Sequence, residues 1–479
     1  MINGFLSLNL AFTVVVFIST LFLFIGIFYS RKKVSLNTYL VSDRNEGVFS
    51  LSATLIASSL GAWILFGPPT AATWGGFGSV IGYALGTAFP MILLIFFGKK
   101  IRLLLPKGKS LTELVLKKFG KNLFKLIFSL MIFYLFIFLC AEVTAISKLI
   151  YYISGLNIWI SASIILFFTL TYVLFGGLKA TIRSDRIQFV IIVLLFLYLI
   201  FSVFLQNNNN LNLNIFQENF LKFDSKSLIL SFQFGFVFFI AVAATNLFHQ
   251  GNWQRVYAAK DYQTLKKSLI ISFFIIVPIV FFMGFTGMVS FSIDPTGRPD
   301  LGFFILLLKE QSEILSLVIV TLGLALTIST VDTLVNAISS LFVVDGKATF
   351  NLNKKTDYLK LSKYFIIFLS LIAFIIASKG FDILYLFLLA DLFCCAFVLT
   401  VFYSFYNKSI NERTAYISIV FGLIGGFLMF PFPDFSKSLL VGILIPKEMF
   451  APFVVQSLLF LSFIVATFLP VIILKIKRS

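Results

Sequence analysis

The sequence predicts an all-α polytopic membrane protein with about thirteen transmembrane helices. The chain has 479 residues, of which 59% are hydrophobic and only 12% are charged, and its mean hydropathy is +1.02. Globular proteins carry about 25% charged residues, so this composition excludes an ordinary soluble protein. The apolar segments are long and uninterrupted, whereas the strands of a membrane β-barrel are about ten residues of alternating polarity.

Thirteen apolar segments of the chain are long enough to cross a bilayer, which takes about 20 residues. Short loops join them, which predicts one transmembrane domain over residues 1–479. The segments are 5–29, 48–74, 76–98, 123–147, 157–178, 185–205, 228–249, 266–290, 313–344, 360–378, 383–406, 413–430 and 449–474.

The net charge of +18 is distributed unevenly along the chain. Most of the 38 Lys and Arg lie in alternate loops, and the intervening loops hold few of them. Basic loops face the cytoplasm, so we expect a multi-pass protein of the cytoplasmic (inner) membrane with its N-terminus outside and its C-terminus in the cytoplasm. The charge therefore indicates topology and contact with membrane lipid, not a nucleic-acid partner. The basic segments are 31–44, 99–121, 179–186, 255–267, 347–363, 408–413 and 475–478.

Catalytic and metal-binding motifs are absent from the sequence. Cys140, Cys394 and Cys395 all lie in apolar segments, and a single histidine, His249, excludes a histidine-rich metal site. The chain also lacks the glycine-rich loop with Lys and Ser or Thr that holds nucleotide phosphates. We therefore expect a protein that is not an enzyme and that needs no organic cofactor.

A stripe of polar side chains interrupts the ninth apolar segment. Ser329, Asp332, Thr333 and Asn336 follow the spacing i, i+3, i+4 and i+7, so a helix carries all four on one face. Lipid cannot satisfy these groups, so the stripe must face protein, water or an ion.

Two further segments contain residues that break helices. The second segment contains Gly61 and then Gly67 with two prolines, and the seventh ends in the polar stretch 244–251. Glycine and proline inside a membrane free backbone amides and carbonyls, and we expect Gly67 to supply the backbone freedom for the first break. Interrupted helices in corresponding positions of two halves indicate a transporter binding site.

The spacing of the two breaks predicts an inverted repeat. Five helices separate their starts, so predicted helices 2–6 and 7–11 form the two halves, over residues 48–205 and 228–406. Residues 1–30 and 413–479 are then peripheral helices. Gly177 is expected to end the fifth helix before a cytoplasmic loop.

Three motifs, in this order, resemble those of the sodium:solute symporter family. Residues 176–188 read GGLKATIRSDRIQ and resemble the pattern G-G-x-x-A-x-x-x-T-D-x-x-Q. Residues 250–255 read QGNWQR and are similar to Q-x-x-x-Q-R, and residues 329–337 read STVDTLVNA and resemble S-T-A-D-S-L-L-N-A. The resemblance covers roughly residues 40–410. It implies the LeuT-type inverted-repeat fold and solute uptake coupled to inward sodium movement.

The resemblance also implies a sodium site. Its ligands would be the backbone carbonyls of Ala57, Leu60 and Leu326 and the hydroxyls of Ser329 and Thr330. Sodium is a hard cation that prefers oxygen, and neutral oxygens hold it weakly enough for release. The alternative for both hydroxyls is the common hydrogen bond of a helical Ser or Thr to the carbonyl four residues earlier.

Two aspartates complete the ion-related residues. Asp185 matches a family aspartate near the ion's inner exit path. The alternative is an interfacial ion pair with Arg183 or Arg186, which would contribute little energy. Asp332 is expected to be a structural acceptor for backbone amides or for Asn336.

The candidate substrate contacts lie near the two helix breaks. An aromatic face beside freed amides suits a small solute with an ammonium or a carboxylate. Ser59 occupies a position where some relatives have a carboxylate, so we expect one coupled sodium ion. The candidates are Ser59, Trp63, Glu142, Asn246 and His249.

Three of these candidates have alternative interpretations. Glu142 lies in the apolar fourth segment, where it either pairs with Lys148 or another helix or meets a cationic group of the solute. His249 is either a proton site or the cap of a helix end, and Trp63 is either a contact or packing.

The sequence therefore predicts a sodium-coupled symporter that imports a small polar organic solute by alternating access. The solute bears an amino group if Glu142 contacts it. Two alternatives remain: a transporter-like solute sensor that acts through a partner protein, and a proton-coupled symporter that uses Glu142, His249 or Asp185. Substrate identity, sodium stoichiometry and oligomeric state do not follow from the sequence.

Overall fold

The computed structural model describes residues 5–30, 35–207, 213–221, 224–308, 312–350, 357–407, 410–435, 437–440 and 453–476. Within these ranges the chain forms α-helices and no strands, which confirms the predicted all-α class. The helices are α1 Leu8–Ser30, α2 Leu36–Val41, α3 Val48–Ser59, α4 Gly67–Leu104, α5 Thr112–Lys118, α6 Lys121–Ser154, α7 Ile158–Asn207, α8 Leu213–Phe220, α9 Ser225–Phe248, α10 Gln250–Ala258, α11 Tyr262–Ile293, α12 Gly302–Leu307, α13 Glu313–Phe350, α14 Tyr358–Ser378, α15 Ile383–Ser404, α16 Glu412–Met429 and α17 Phe453–Ile476. Parts of the predicted terminal and basic segments, at 1–4, 31–34, 351–356, 408–409 and 477–479, lie outside the described residues.

Eleven helices among the described residues are long and apolar enough to cross a membrane. This confirms the multi-pass membrane class. One of the eleven, α7, covers two of the predicted segments, 157–178 and 185–205, and it contains Gly177 at φ 57°. The predicted segment 48–74 is divided between the shorter helix α3 and the start of α4, and α4 contains Gly76 at φ 55°. The count of thirteen treats α7 as two spans and 48–74 as one span, and it stays a prediction.

Gly177 turns the chain within α7. At 1.5 Å per residue, about 18 Å of straight helix would separate Tyr172 from Ser184. Both side chains nevertheless donate to the same oxygen, Oδ2 of Asp332, from 2.5 Å and 3.2 Å. The chain therefore changes direction between them, where the left-handed conformation favours glycine. A Cβ at Gly177 would also lie 2.4 Å from the ring of Tyr39.

We expect Gly177→Ala to lower the melting temperature of the purified protein more than Gly155→Ala does. Gly155 (φ 74°, ψ 5°) is in the left-handed helical region, where a side chain costs about 1–2 kcal/mol. Gly177 (φ 57°, ψ −156°) is in a region that is almost restricted to glycine, and its Cβ would also meet the Tyr39 ring, whereas Gly155 has open space. Equal losses of melting temperature would show that neither the backbone conformation nor the Tyr39 ring restricts Gly177 more than Gly155 is restricted.

The first helix break lies between α3 and α4. Leu60 (φ −101°, ψ 88°) and Gly61 (φ −88°, ψ −179°) leave the helix, and a short 3-10 turn, Ala62–Leu65, follows before α4 begins at Gly67. The predicted break is present, but the expectation that Gly67 supplies its backbone freedom is wrong. Gly67 has no positive φ. What restricts it is space, because a Cβ there would lie 2.9 Å from the hydroxyl of Tyr83.

The second break separates α9 from α10 at His249 (φ −58°, ψ 111°). The helix α13 packs against α3, α6, α7 and α10, and every residue from 322 to 342 is buried. Both interrupted pairs, α3–α4 and α9–α10, thus contact α13 inside the bundle, through α3 and α10. The helix α13 carries the polar stripe.

Candidate functional site

A small cavity lies between the two helix breaks. Four of the predicted substrate contacts, Ser59, Trp63, Asn246 and His249, line it together with Thr330 of the predicted sodium site. The remaining space is about 20 Å³ for the centre of a water molecule. That is enough for about one water, so a larger solute enters only when the surrounding helices move apart.

Aromatic rings form much of the cavity wall. Trp63 stacks on Tyr83 with ring centres 5.4 Å apart, and it meets Phe387 edge-on at 6.4 Å. Phe138 meets Phe387 edge-on at 4.6 Å. Trp63 is therefore both packed and at the cavity, and aromatic walls of this kind suit an ammonium group or an apolar chain.

Asp391 of α15 also lines this cavity, and the sequence interpretation missed it. The side chain is only 3% exposed, and Oδ1 accepts a hydrogen bond of 2.6 Å from the Thr245 hydroxyl. No basic side chain in the described ranges forms an ion pair with it. The signal was available, because Asp391 is a lone acid in the apolar segment 383–406, and an acid in such a place is a functional candidate.

Glu142 of α6 contacts the first helix break from behind the cavity. Its side chain is fully buried, and Oε2 accepts a hydrogen bond of 2.9 Å from the backbone amide of Ala62. The suggested pairing with Lys148 is wrong, because the Lys148 Nζ donates to the carbonyl of Phe381 at 2.8 Å. The observed contact is with another helix, as the first alternative also allowed.

Side chains satisfy the free backbone groups at the second break. His249 Nδ1 accepts a hydrogen bond of 3.1 Å from the Gly251 amide, which is the capped helix end that the sequence allowed. The Asn246 carbonyl accepts a bond of 2.8 Å from the side chain of Asn252, and the Trp253 indole donates to the Leu247 carbonyl at 2.8 Å. The end of α9 is thus satisfied by side chains of α10.

The residues of the predicted sodium site lie on α3 and α13, which pack against each other. Ala57 and Leu60 are at the end of α3, where the helix stops. On α13 the Thr330 hydroxyl donates to the Leu326 carbonyl at 3.1 Å, which is the common back-bond. The Ser329 hydroxyl donates to Asp185 Oδ1 at 2.6 Å. Each hydroxyl oxygen keeps lone pairs for a cation, and neutral oxygens are ligands that sodium accepts, so the sodium site stays a prediction.

Asp185 and Arg255 form a buried ion pair beside the Ser329 hydroxyl. Arg255 Nη2 lies 3.0 Å from Asp185 Oδ2, and both side chains have 0% exposure. Arg255 also donates to the hydroxyls of Thr54 and Thr333, each at 2.8 Å, and Thr54 donates to Asp185. The alternative of an interfacial pair with Arg183 or Arg186 is therefore wrong. The pair joins α3, α7, α10 and α13.

Asp332 accepts hydrogen bonds from side-chain hydroxyls. Tyr172, Ser184 and Thr333 donate to it at 2.5, 3.2 and 3.3 Å. Asp332 is an acceptor, as expected, but the expected partners are wrong: the donors are hydroxyls, mainly of α7, and not backbone amides or Asn336.

Interrupted helices that meet at a buried cavity in a helical membrane bundle are typical of secondary transporters. The chain belongs to the sodium:solute symporter family, whose model matches residues 39–422. The family suggested by the three motifs is confirmed.

The chain is also similar to known transporters. The chain is 26% identical over 384 residues to the spermidine transporter DUR31 of Candida albicans, which covers 79% of this chain and 71% of that protein. A Na+-coupled sialic acid symporter, solved in a substrate-bound outward-open state, matches with a TM-score of 0.68 and 17% identity over 98% of both chains. The nucleobase-cation-symport-1 transporter Mhp1, closed with bromovinylhydantoin bound, matches with a TM-score of 0.55 and 13% identity over 93% of this chain and 97% of that one. These structures confirm the LeuT-like fold.

Proposed function

We propose that the protein is a sodium-coupled symporter that imports a small organic amine by alternating access. The observation that carries the proposal is Asp391, a buried carboxylate in an aromatic-walled cavity, with no basic partner among the described side chains. A buried, unpaired carboxylate is costly, and the ammonium group of a solute would compensate it. The similarity to a spermidine transporter supports an amine as the solute.

Sodium has a defined role in this proposal. An ion held between the end of α3 and the hydroxyls of Ser329 and Thr330 would join two helices that border the cavity. It would therefore favour the state that accepts solute, and linkage requires that solute raise sodium affinity by the same factor. Asp185 would lie near the path by which the ion leaves. Because the charge of Asp185 is already compensated by Arg255, Asp185 would not hold the ion there.

The same proposal includes the repeat and the membrane orientation. The break between α3 and α4 and the break between α9 and α10 occupy corresponding places in residues 48–205 and 228–406, which supports an inverted repeat. The basic loops support an N-terminus outside and a C-terminus in the cytoplasm.

The proposed function is tested by measuring the uptake of radiolabelled spermidine and radiolabelled cadaverine into proteoliposomes. Uptake with an inward sodium gradient is compared with uptake without it. Accumulation that requires sodium is the expected result. Specific binding of these amines by a purified protein that never accumulates them would instead favour the sensor alternative.

We expect Thr330→Ala and Ser329→Ala each to raise the sodium concentration for half-maximal uptake by about tenfold, which is the loss of one modest ligand. Thr330→Ala is the cleaner variant, because Ser329→Ala also removes a donor to Asp185. Ser316→Ala is the control, since Ser316 lies buried on the same helix and donates only to the carbonyl of Ser312. Unchanged sodium dependence in both variants would remove these residues from the sodium site.

A further inference from the structure

The backbone amide that opens the turn between α3 and α4 is already bound to a carboxylate of the protein. Glu142 Oε2 accepts from the Ala62 amide at 2.9 Å, and the Glu142 side chain has 0% exposure. Its other oxygen, Oε1, makes no hydrogen bond within the described residues. Gly61 leaves the necessary space, because a Cβ there would lie 2.1 Å from Oε1.

This contact occupies a position that transporters with interrupted helices use for substrates. The freed amides of such a helix bind anionic groups of the substrate, such as a carboxylate. Here the carboxylate belongs to α6, and Trp63, the next residue after Ala62, lines the cavity. A solute carboxylate would therefore find the amide taken and would meet a like charge.

The cavity itself, which Glu142 does not line, also contains an acid. Asp391 is the second carboxylate, and it lines the cavity together with Tyr83. No Lys or Arg is among the described residues that line the cavity. The described lining therefore offers a solute carboxylate no Lys or Arg partner, whereas an ammonium group is attracted by both acids.

We propose that Glu142 is a specificity-determining residue that stands in for a solute carboxylate, so that the site takes amines without a carboxylate and rejects amino acids. The inference rests on the proposed function and deepens it by naming the substrate class. Glu142 is a positioning residue in this account, because it acts through the Ala62 amide and through its charge.

Cadaverine and lysine are the matched probes, because they differ only in the carboxylate. Their apparent affinities are measured from the thermal stabilisation of the purified full-length protein at fixed sodium concentration. We expect the unmodified protein to bind cadaverine at least about a hundredfold more tightly than lysine, and Glu142→Gln to narrow this ratio at least about tenfold. The glutamine keeps an oxygen acceptor for the Ala62 amide and removes only the charge.

Asp345→Asn is the control for the loss of a buried acid. Asp345 lies towards the C-terminal end of α13, accepts hydrogen bonds from Ser110 and Thr112, and does not line the cavity. The ratio of cadaverine affinity to lysine affinity should not change in Asp345→Asn, even if this variant is less stable.

A second variant covers the case in which Glu142→Gln does not fold. Gly61→Ala displaces the Glu142 carboxylate from the Ala62 amide and should also narrow the ratio of cadaverine affinity to lysine affinity. Gly47→Ala is its control, because a Cβ at Gly47 has open space, and it should leave this ratio unchanged. Equal affinities for cadaverine and lysine in the unmodified protein would overturn the inference and leave amine transport standing. An unchanged ratio in the Glu142 and Gly61 variants would show that Glu142 only caps the turn. Binding of neither probe would overturn both proposals.

Discussion

Replacing Asp391 with asparagine is expected to lower the affinity for cadaverine by at least about a hundredfold, because an ammonium group loses its charged partner in a buried site. Asparagine has nearly the same shape, and its amide oxygen can still accept from the Thr245 hydroxyl, which now donates at 2.6 Å. The fold should therefore persist. Amine affinity from thermal stabilisation and sodium-driven uptake of radiolabelled cadaverine both measure the effect.

The control for this variant is Asp382→Asn on the same helix. Asp382 caps the start of α15 by accepting from the Tyr385 amide at 2.8 Å, and it does not line the cavity. Asparagine is also a good cap, so both stability and amine affinity should change little. Full amine affinity in Asp391→Asn would show that the carboxylate serves only its bond to Thr245 and would contradict its role in binding.

Replacing Arg255 with methionine is expected to destabilise the fold by about 3–5 kcal/mol, because it leaves the charge of Asp185 buried without a partner. Both side chains of the pair are at 0% exposure, and Arg255 also donates to Thr54 and Thr333. Thermal unfolding in detergent, with tryptophan fluorescence as the signal, measures the loss.

A second substitution distinguishes the loss of the ion pair from the loss of packing by the arginine side chain. Asp185→Asn in the Arg255→Met background removes the stranded charge and should recover part of the lost stability. Lys260→Met is the control, because Lys260 is exposed and close to Arg255 in the sequence. This variant should have little effect on the melting temperature. If the double variant melts no higher than Arg255→Met alone, the charge of Asp185 is not what the arginine compensates.

The sequence predicted those features of the fold that depend on local composition. Long apolar runs gave the membrane helices, and the glycine pair before residue 178 gave the turn within α7. The first break was predicted in the stretch that begins at Gly61, but the role given to Gly67 in it was wrong. The turn starts at Leu60–Gly61, where Glu142, 80 residues away in sequence, accepts from the Ala62 amide. A contact between distant helices of this kind leaves no local pattern.

The candidate site shows the same division between local and distant contacts. Four of the five predicted substrate contacts do line one cavity, because they lie at the two helix breaks. Glycine and proline indicate the first break in the sequence, and polar residues indicate the second. The partner of Asp185 was missed because Arg255 is 70 residues away, whereas the sequence offered two adjacent arginines. Lys148 was a poor partner for Glu142 on helical geometry alone, since a spacing of six residues places the two about 120° apart around the helix.

The most direct test of sodium-coupled amine import is the uptake of radiolabelled cadaverine by proteoliposomes at a fixed membrane potential. The inward sodium gradient, an inward proton gradient and no gradient are compared in the same preparation. The account predicts that cadaverine accumulates above its external concentration only with the sodium gradient, and that Thr330→Ala shifts the sodium dependence. Equal accumulation with the proton gradient in the absence of sodium, or entry that does not depend on either ion, would contradict it.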